Sequence, residues 1–208
     1  MVDAPFYTNQ LEVITYIAKS IPIDYKLYVK EHPIMKLKGW REIEYYKFIS
    51  NLPNTELVHP SVNPQEIYKK CKLVLTATGT SGFEAAFFEK PAIIFSDVIY
   101  SEIPSVYRLE NVENLQQLIK KAIKTPINKN ELRDFLQKLE SSSFEMDINK
   151  MNTDFSKLCY YGGFLVDEKI SKEKIIKFLQ NNEKIFDVLA DEHLKKIKQF
   201  KENKILEE

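Results

Sequence analysis

The chain has 208 residues, of which 30 are basic and 30 acidic, and its formal charge is zero. That balance excludes a strongly basic face, and with it nucleic acid as the main partner. No apolar stretch approaches the ~20 residues of a membrane span, and no basic start leads into an apolar run as in a signal peptide, so the expected compartment is the cytoplasm.

Residues 7–20 are predicted as an amphipathic helix, with Leu11, Ile14, Ile17 and Ala18 on one face. YKLYVK, 25–30, alternates as a strand and stops before Pro33. A helix is expected over 41–51, ended by Pro53-Asn54, then a short strand over 55–59 ended by Pro60. Asn63 followed by Pro64 marks the start of a helix over 63–71. KLVLTAT, 72–78, has the composition of a buried strand; 81–90 is expected as a helix, 91–96 as a second buried strand, and 111–124 as an amphipathic helix capped by Asn111. The aromatic residues Tyr45, Tyr46, Phe87 and Phe88 are assigned to helix core.

Short apolar strands alternating with helices predict an α/β fold: a Rossmann-like, mainly parallel sheet with helices on both faces. Its first element is a helix, so the first strand of the sheet is expected to be missing and the chain to be part of a larger or split protein. The domain is placed at 1–126. From 127 to 208 no strand pattern remains, and a helical extension is expected, with a turn at Gly162-Gly163. Cys71 and Cys159 are far apart and have no metal-ligand spacing, so they are expected as free thiols.

Ligands of open α/β sheets bind outside the carboxyl ends of the strands, which makes those ends the search area. The densest is TATGTSGFEA, 76–85, where a strand turns on Gly79 and Gly82 into a helix. Thr78, Thr80 and Ser81 offer hydroxyls, and the turn's N–H groups favour an anion such as phosphate. Glu84, one turn on, could accept bonds from sugar hydroxyls. The plainer alternative is ordinary capping of a helix start. The second feature is Lys30-Glu31-His32-Pro33. His32 can donate to a phosphate oxygen, Glu31 can act as a base or orient His32, and Lys30 adds positive charge; a simple turn set by Pro33 is the alternative. His59, at a third strand end, is a candidate contact to the base of a nucleotide. His193 falls in the charged tail as a solvated residue. No nucleophile triad and no metal cluster is visible.

These marks fall in a recognisable order: VKEHP, then Gly39 and Arg41, then Pro53-Asn54 before a strand, TGTSGFEA, and Lys90-Pro91 before an apolar strand. Over about residues 7–110 the chain resembles the capsule polysaccharide biosynthesis and export family, which includes β-Kdo transferases. The resemblance implies the C-terminal half of a GT-B glycosyltransferase acting on a nucleotide-activated sugar, in the Kdo-transferase members a CMP-sugar. It implies Glu31 and His32 as catalytic-site residues near the donor phosphate, and Thr78, Gly79, Thr80, Gly82 and Glu84 at the donor. Lys30, Ser81 and His59 are added from the residue reading. No tightly bound cofactor is expected; the nucleotide-sugar is the substrate. The expected partners are a glycan or glycolipid acceptor and a separate chain carrying the acceptor domain, with peripheral attachment at the inner face of the membrane. Three alternatives stand beside this reading: a non-catalytic nucleotide-sugar-binding or assembly subunit, a relative of the teichoic-acid glycerophosphotransferases, and an α/β scaffold domain without a ligand.

Overall fold

The computed structural model describes residues 4–32, 35, 39–161 and 169–205; the expected turns at Pro33 and at Gly162-Gly163 lie outside these. Helix α1 spans Gln10–Ser20 and is capped by Asn9, whose side chain accepts the Glu12 N–H. Strand β1 follows at Leu27–Lys30, helix α2 at Ile43–Ser50 and strand β2 at Thr55–Val58. Helix α3, Pro64–Lys70, begins as its sequence predicts: Asn63 accepts the Gln65 N–H at 3.0 Å and Pro64 occupies the first turn, where a missing N–H costs nothing. Next come β3 at Val74–Thr76, α4 at Ser81–Ala86, β4 at Ala92–Ile94 and β5 at Val106–Arg108. Helices α5 (Leu115–Lys124), α6 (Lys129–Ser142), α7 (Ile148–Cys159), α8 (Lys172–Asn181) and α9 (Glu183–Ile205) complete the described chain.

The strands are short and parallel, as expected, and helices cover both of their faces. Successive residues of β4 point to opposite faces: Ile93 enters the cluster of Ile17 in α1 with Leu115, Ile119 and Ala122 in α5, whereas Ala92 lies under Gly82 of α4. Leu27 of β1 and Leu75 of β3 pack against that same α1–α5 cluster. Ile93, Leu115 and Ile119 are fully buried, each contributing about 1.5–3 kcal/mol by burial.

The structure departs from the sequence reading in three places. The single expected sheet is divided into a two-stranded sheet, β1-β2, and a three-stranded sheet, β3-β4-β5, with no ladder joining β1 to β3. Strand β5 was not predicted; it is three residues long and too short for a period-2 pattern to register. Helix α4 ends at Ala86 rather than reaching residue 90, because Glu89 adopts φ +57° to turn the chain into Pro91 and β4. Phe87 is consequently exposed rather than in the core. Tyr45 and Tyr46 are half-buried and use their hydroxyls in a polar network described below.

The chain divides into two compact units, residues 1–138 and 139–208. In the second, Phe155, Phe178 and Phe186 meet edge-to-face, at 5.4 and 5.8 Å between centroids. Asn182, at the α8–α9 junction, is buried; its amide donates to the Phe178 carbonyl at 3.0 Å and its oxygen accepts from Lys150 at 3.1 Å. Lys150 also pairs with Asp154, whose carboxyl it holds below the ordinary range.

Candidate functional site at the carboxyl ends of the strands

At the end of β1 the Glu31 carboxylate is almost fully enclosed, with 12% of its side chain exposed. One oxygen accepts from Arg41 Nε at 2.9 Å and from the Tyr46 hydroxyl at 3.3 Å; the other accepts the His32 N–H at 2.8 Å. Arg41 is itself fixed. Its Nη2 donates to Gln10 Oε1 at 2.7 Å, Tyr45 donates to the same oxygen at 3.3 Å, and the guanidinium lies 4.6 Å over the Tyr45 ring. Three donors, one of them cationic, hold the carboxylate in place. Glu31 is thus built to set the backbone of His32, whose side chain is exposed beside it. Lys30 bridges to the neighbouring strand end, donating to the Pro60 carbonyl at 3.0 Å. Partial burial lowers its ammonium pKa, opposed by Glu31.

His59 sits at the end of β2. Its Nδ1 accepts the Ser61 N–H at 3.2 Å and lies 2.6 Å from Ser61 Oγ. Accepting at Nδ1 leaves Nε2 to carry the proton. The indole of Trp40 lies 6.3 Å from this ring, tilted by 41°, and is 53% exposed. An exposed tryptophan beside an exposed imidazole gives this end of the sheet an aromatic surface.

The turn after β3 is held from below. Gly79 N–H donates to Thr76 Oγ1 at 3.1 Å, and the Tyr100 hydroxyl donates to the Gly79 carbonyl. The Tyr100 ring stacks on Phe83 at 5.8 Å and fills the space against Gly82, where an added Cβ would stand 3.0 Å from the ring and 3.3 Å from Ala92. An added Cβ at Gly79 would meet Thr76 Oγ1 at 2.8 Å. At Gly82 the neighbours of an added Cβ are core groups that must give way, whereas at Gly79 the neighbour is a side-chain hydroxyl. Burial pushes the Tyr100 phenol up to about 12, with nearby Glu84 and Tyr68 adding to the rise.

Thr80 stands at the cap position of α4 but makes no side-chain cap; its hydroxyl donates to Glu84 Oε1 at 2.8 Å. Tyr68, from α3, donates to Glu84 Oε2 at 3.1 Å, and burial raises its phenol pKa. Glu84 is exposed, yet both its oxygens have partners from the protein. Simple capping by Thr80 therefore does not account for the turn. At six residues, α4 is short and brings little macrodipole, so anion binding here would rest on the backbone and hydroxyls of Thr78–Ser81, of which the Gly79 N–H and the Thr80 hydroxyl already have partners in the protein.

The sequence-predicted residues thus fall into three groups, each at its own strand end: Lys30, Glu31 and His32 on β1, His59 on β2, and Thr78 to Glu84 after β3. Gln10, Trp40, Tyr46, Tyr68 and Tyr100 were not singled out, because tyrosine and glutamine carry no spacing signal and their partners lie 15 to 31 positions away or more. His193 is exposed in α9 and its Nδ1 donates to the Leu189 carbonyl at 2.7 Å. Among the described residues no group of three His, Cys, Asp or Glu could hold a metal ion. Cys71 and Cys159 are free thiols. Two shallow hollows lie elsewhere, one lined by Ile197 and Phe200 of α9 and one between the end of α4 and α6 around Phe87 and Leu132.

The model of the family described as capsule polysaccharide biosynthesis protein matches residues 7–137. That span contains strands β1 to β5 and all three groups of edge residues. No curated protein and no solved structure matches the chain.

Proposed function

The chain belongs to the capsule polysaccharide biosynthesis protein family, and from that premise we propose that its strand-end edge binds the nucleotide-sugar donor of a glycosyl transfer in capsule synthesis. The family gives the role in capsule polysaccharide biosynthesis; the donor and the chemistry are our reading. The observation that carries it is the fixing of polar groups that still face outward. Glu31 and Glu84 are each held at both oxygens, and each is bonded to an exposed neighbour, His32 and Thr80. Ordering exposed side chains costs conformational entropy, and a preorganised set of donors at a ligand's phosphates uses that ordering.

In this reading His32, the N–H groups of Thr78, Thr80 and Ser81 and the hydroxyls of Thr78 and Ser81 bind the donor phosphate, with Gly79 and Thr80 held in place by Thr76 and Glu84. Gly79 and Gly82 let the backbone approach it. Glu84 contacts donor hydroxyls, Lys30 supplies positive charge at the edge, and His59 with Trp40 forms the surface for the base. Phosphate stabilisation helps the nucleotide leave. Glu31 acts as a positioning residue for His32 and not as the base, since it is enclosed and three donors already hold it. A CMP-sugar donor, a glycan or glycolipid acceptor, and an acceptor domain carried by a separate chain are parts of the same proposal. No tightly bound cofactor is required. Among the described residues no helix is long and apolar enough to cross a membrane, and we place the reaction in the cytoplasm, at the inner face of the membrane where a glycolipid acceptor would be met.

A second reading is favoured by the enclosure of Glu31: with that carboxylate held by three donors, the chain binds the donor and leaves the transfer to a partner. Calorimetric titration with CMP, CDP and UDP, on the native chain and on His32→Ala, tests the shared part. Saturable binding of one nucleotide, weakened at least tenfold by the substitution, is expected. A folded chain that binds none of the three, or binds equally after the substitution, contradicts it.

A further inference from the structure

We propose that Arg108 is a further binding residue for the donor, exchanging the Asp97 carboxylate that it meets in this structure for a phosphate oxygen. The proposal rests on the donor reading. It adds to that reading a cation that the turn after β3 does not itself carry, since TATGTSGFEA, 76–85, contains neither lysine nor arginine.

The position of Arg108 follows from the register. Leu75, Ile93 and Tyr107 form one row across β3, β4 and β5, and all three pack into the cluster of α1 and α5. Successive side chains of a strand alternate between faces, so the next row, Thr76, Ile94 and Arg108, points to the other face. That is the face of the turn. Thr76 Oγ1 accepts the Gly79 N–H, and Ala92, on the same face as Ile94, lies against Gly82. This row closes the ladder, so Arg108 leaves β5 at the carboxyl edge. Its Nη1 stands 3.5 Å from Asp97 Oδ2, where the chain has just left β4, the strand between β5 and β3. The guanidinium is thus drawn from β5 toward the end of β4. The loop that begins at Asp97 then touches the turn itself: the Tyr100 hydroxyl donates to the Gly79 carbonyl, and the Tyr100 ring lies against Gly82. That loop is closed on itself, with the Val98 N–H donating to Ser101 Oγ at 2.8 Å and the Ser101 N–H to the Val98 carbonyl at 2.9 Å. Arg108 and the turn after β3 therefore flank one short loop.

The pair is one that can be given up. The Arg108 side chain is 55% exposed and that of Asp97 70%, and they meet at 3.5 Å. Arg41, by contrast, is held at 2.9 Å against the enclosed Glu31 and at 2.7 Å against Gln10. An exposed pair as long as that of Arg108 contributes little to stability and exchanges readily with solvent. Asp97 engages the guanidinium through Nη1, whereas a phosphate offers two oxygens to its planar fork. Asp97 therefore keeps Arg108 at the edge before the donor arrives, and competes with the donor phosphate for it. The two partners act on binding with opposite sign: loss of Arg108 removes an attraction, and loss of the Asp97 charge removes a competitor.

Calorimetric titration with CMP, CDP and UDP tests the exchange on the native chain, Arg108→Gln, Asp97→Asn and the double variant. The nucleotide that the native chain binds should bind Arg108→Gln about tenfold more weakly, the loss of a charge-assisted bond. Asp97→Asn should bind it about threefold more tightly, because the competing pair is a weak one. In the double variant the gain from Asp97→Asn should disappear. Arg108→Lys should fall between the native chain and Arg108→Gln, since it keeps the charge and loses the fork. Both side chains are exposed, so native urea midpoints are expected throughout. Undiminished binding by Arg108→Gln, with His32→Ala still weakened, would overturn this proposal and leave the donor reading standing. Weaker binding by Asp97→Asn would overturn it too, because the pair would then be a structural tie for the loop that backs Gly79. So would an equal gain from Asp97→Asn with and without Arg108, since Asp97 would then act through its own charge. A native chain that binds none of the three nucleotides removes this proposal together with the donor reading.

Discussion

Arg41 Nε donates to the Glu31 carboxylate at 2.9 Å, with the acid mostly enclosed and the guanidinium 30% exposed. Pairing at this depth is worth more than a surface ion pair, and removing one partner leaves a carboxylate desolvated without its counter-charge. Arg41→Ala is expected to lower stability by about 1–3 kcal/mol. Arg41→Lys should recover little of that, because an ammonium cannot bridge Glu31 and Gln10 and lie over Tyr45 at once. Urea midpoints of the two variants check this; a lysine variant as stable as the native chain would show that charge alone suffices.

Tyr100 gives the account a pH signature. Its phenol pKa is raised from the ordinary 10 to about 12, so the folded state prefers the protonated form. The stabilisation is complete below pH 10 and is lost as pH rises from 10 through 12. The urea midpoint should fall over that window, and Tyr100→Phe should flatten the fall while costing about 1 kcal/mol at pH 8 for the lost bond to the Gly79 carbonyl. Identical alkaline profiles for the two proteins would remove Tyr100 from the explanation.

Gly82 and Gly79 fail for different reasons when substituted. Gly82→Ala presses on a stacked ring and on Ala92, both in the core, and should destabilise by about 1–3 kcal/mol. Gly79→Ala meets only the Thr76 hydroxyl, which can rotate at the cost of its bond to the Gly79 N–H. Its effect on stability should be smaller, and its effect on nucleotide binding larger, than those of Gly82→Ala. Thermal unfolding and calorimetry on the pair separate the two roles.

In the second unit, Asn182 is the buried polar joint between α8 and α9. Asn182→Ala strips a partner from the Phe178 carbonyl and from Lys150 and should cost about 1–3 kcal/mol. Lys150 keeps Asp154, so the loss should be local, read as faster exchange in 172–190 without change in β3 and β4.

The strand ends were legible in the sequence because apolar runs stop at turn residues: Val58 before His59-Pro60, Thr76 before Gly79, Asn63-Pro64 at a helix start. The layered α/β class followed from the same alternation. What fixes the site was not legible. Glu31 was readable as a base only because Arg41, Tyr46 and Gln10 could not be placed against it from the sequence, and the backing of Gly79 by Tyr100 depends on a contact 21 positions away. The division of the sheet was not legible, because alternating strands and helices predict one sheet and say nothing of which strands pair. Glu89, whose left-handed backbone ends α4 early, carries no signal of its own, since Asn or Gly is the usual residue there.

Backbone amide shifts of the isotopically labelled chain, recorded during titration with CDP, read the position of binding directly. The account predicts shifts at Glu31 and His32 and at Thr78 to Gly82 that saturate together at one midpoint, with a smaller response at Trp40 and His59. Shifts confined to one strand end, or centred on the α4–α6 hollow or on α9, would contradict it.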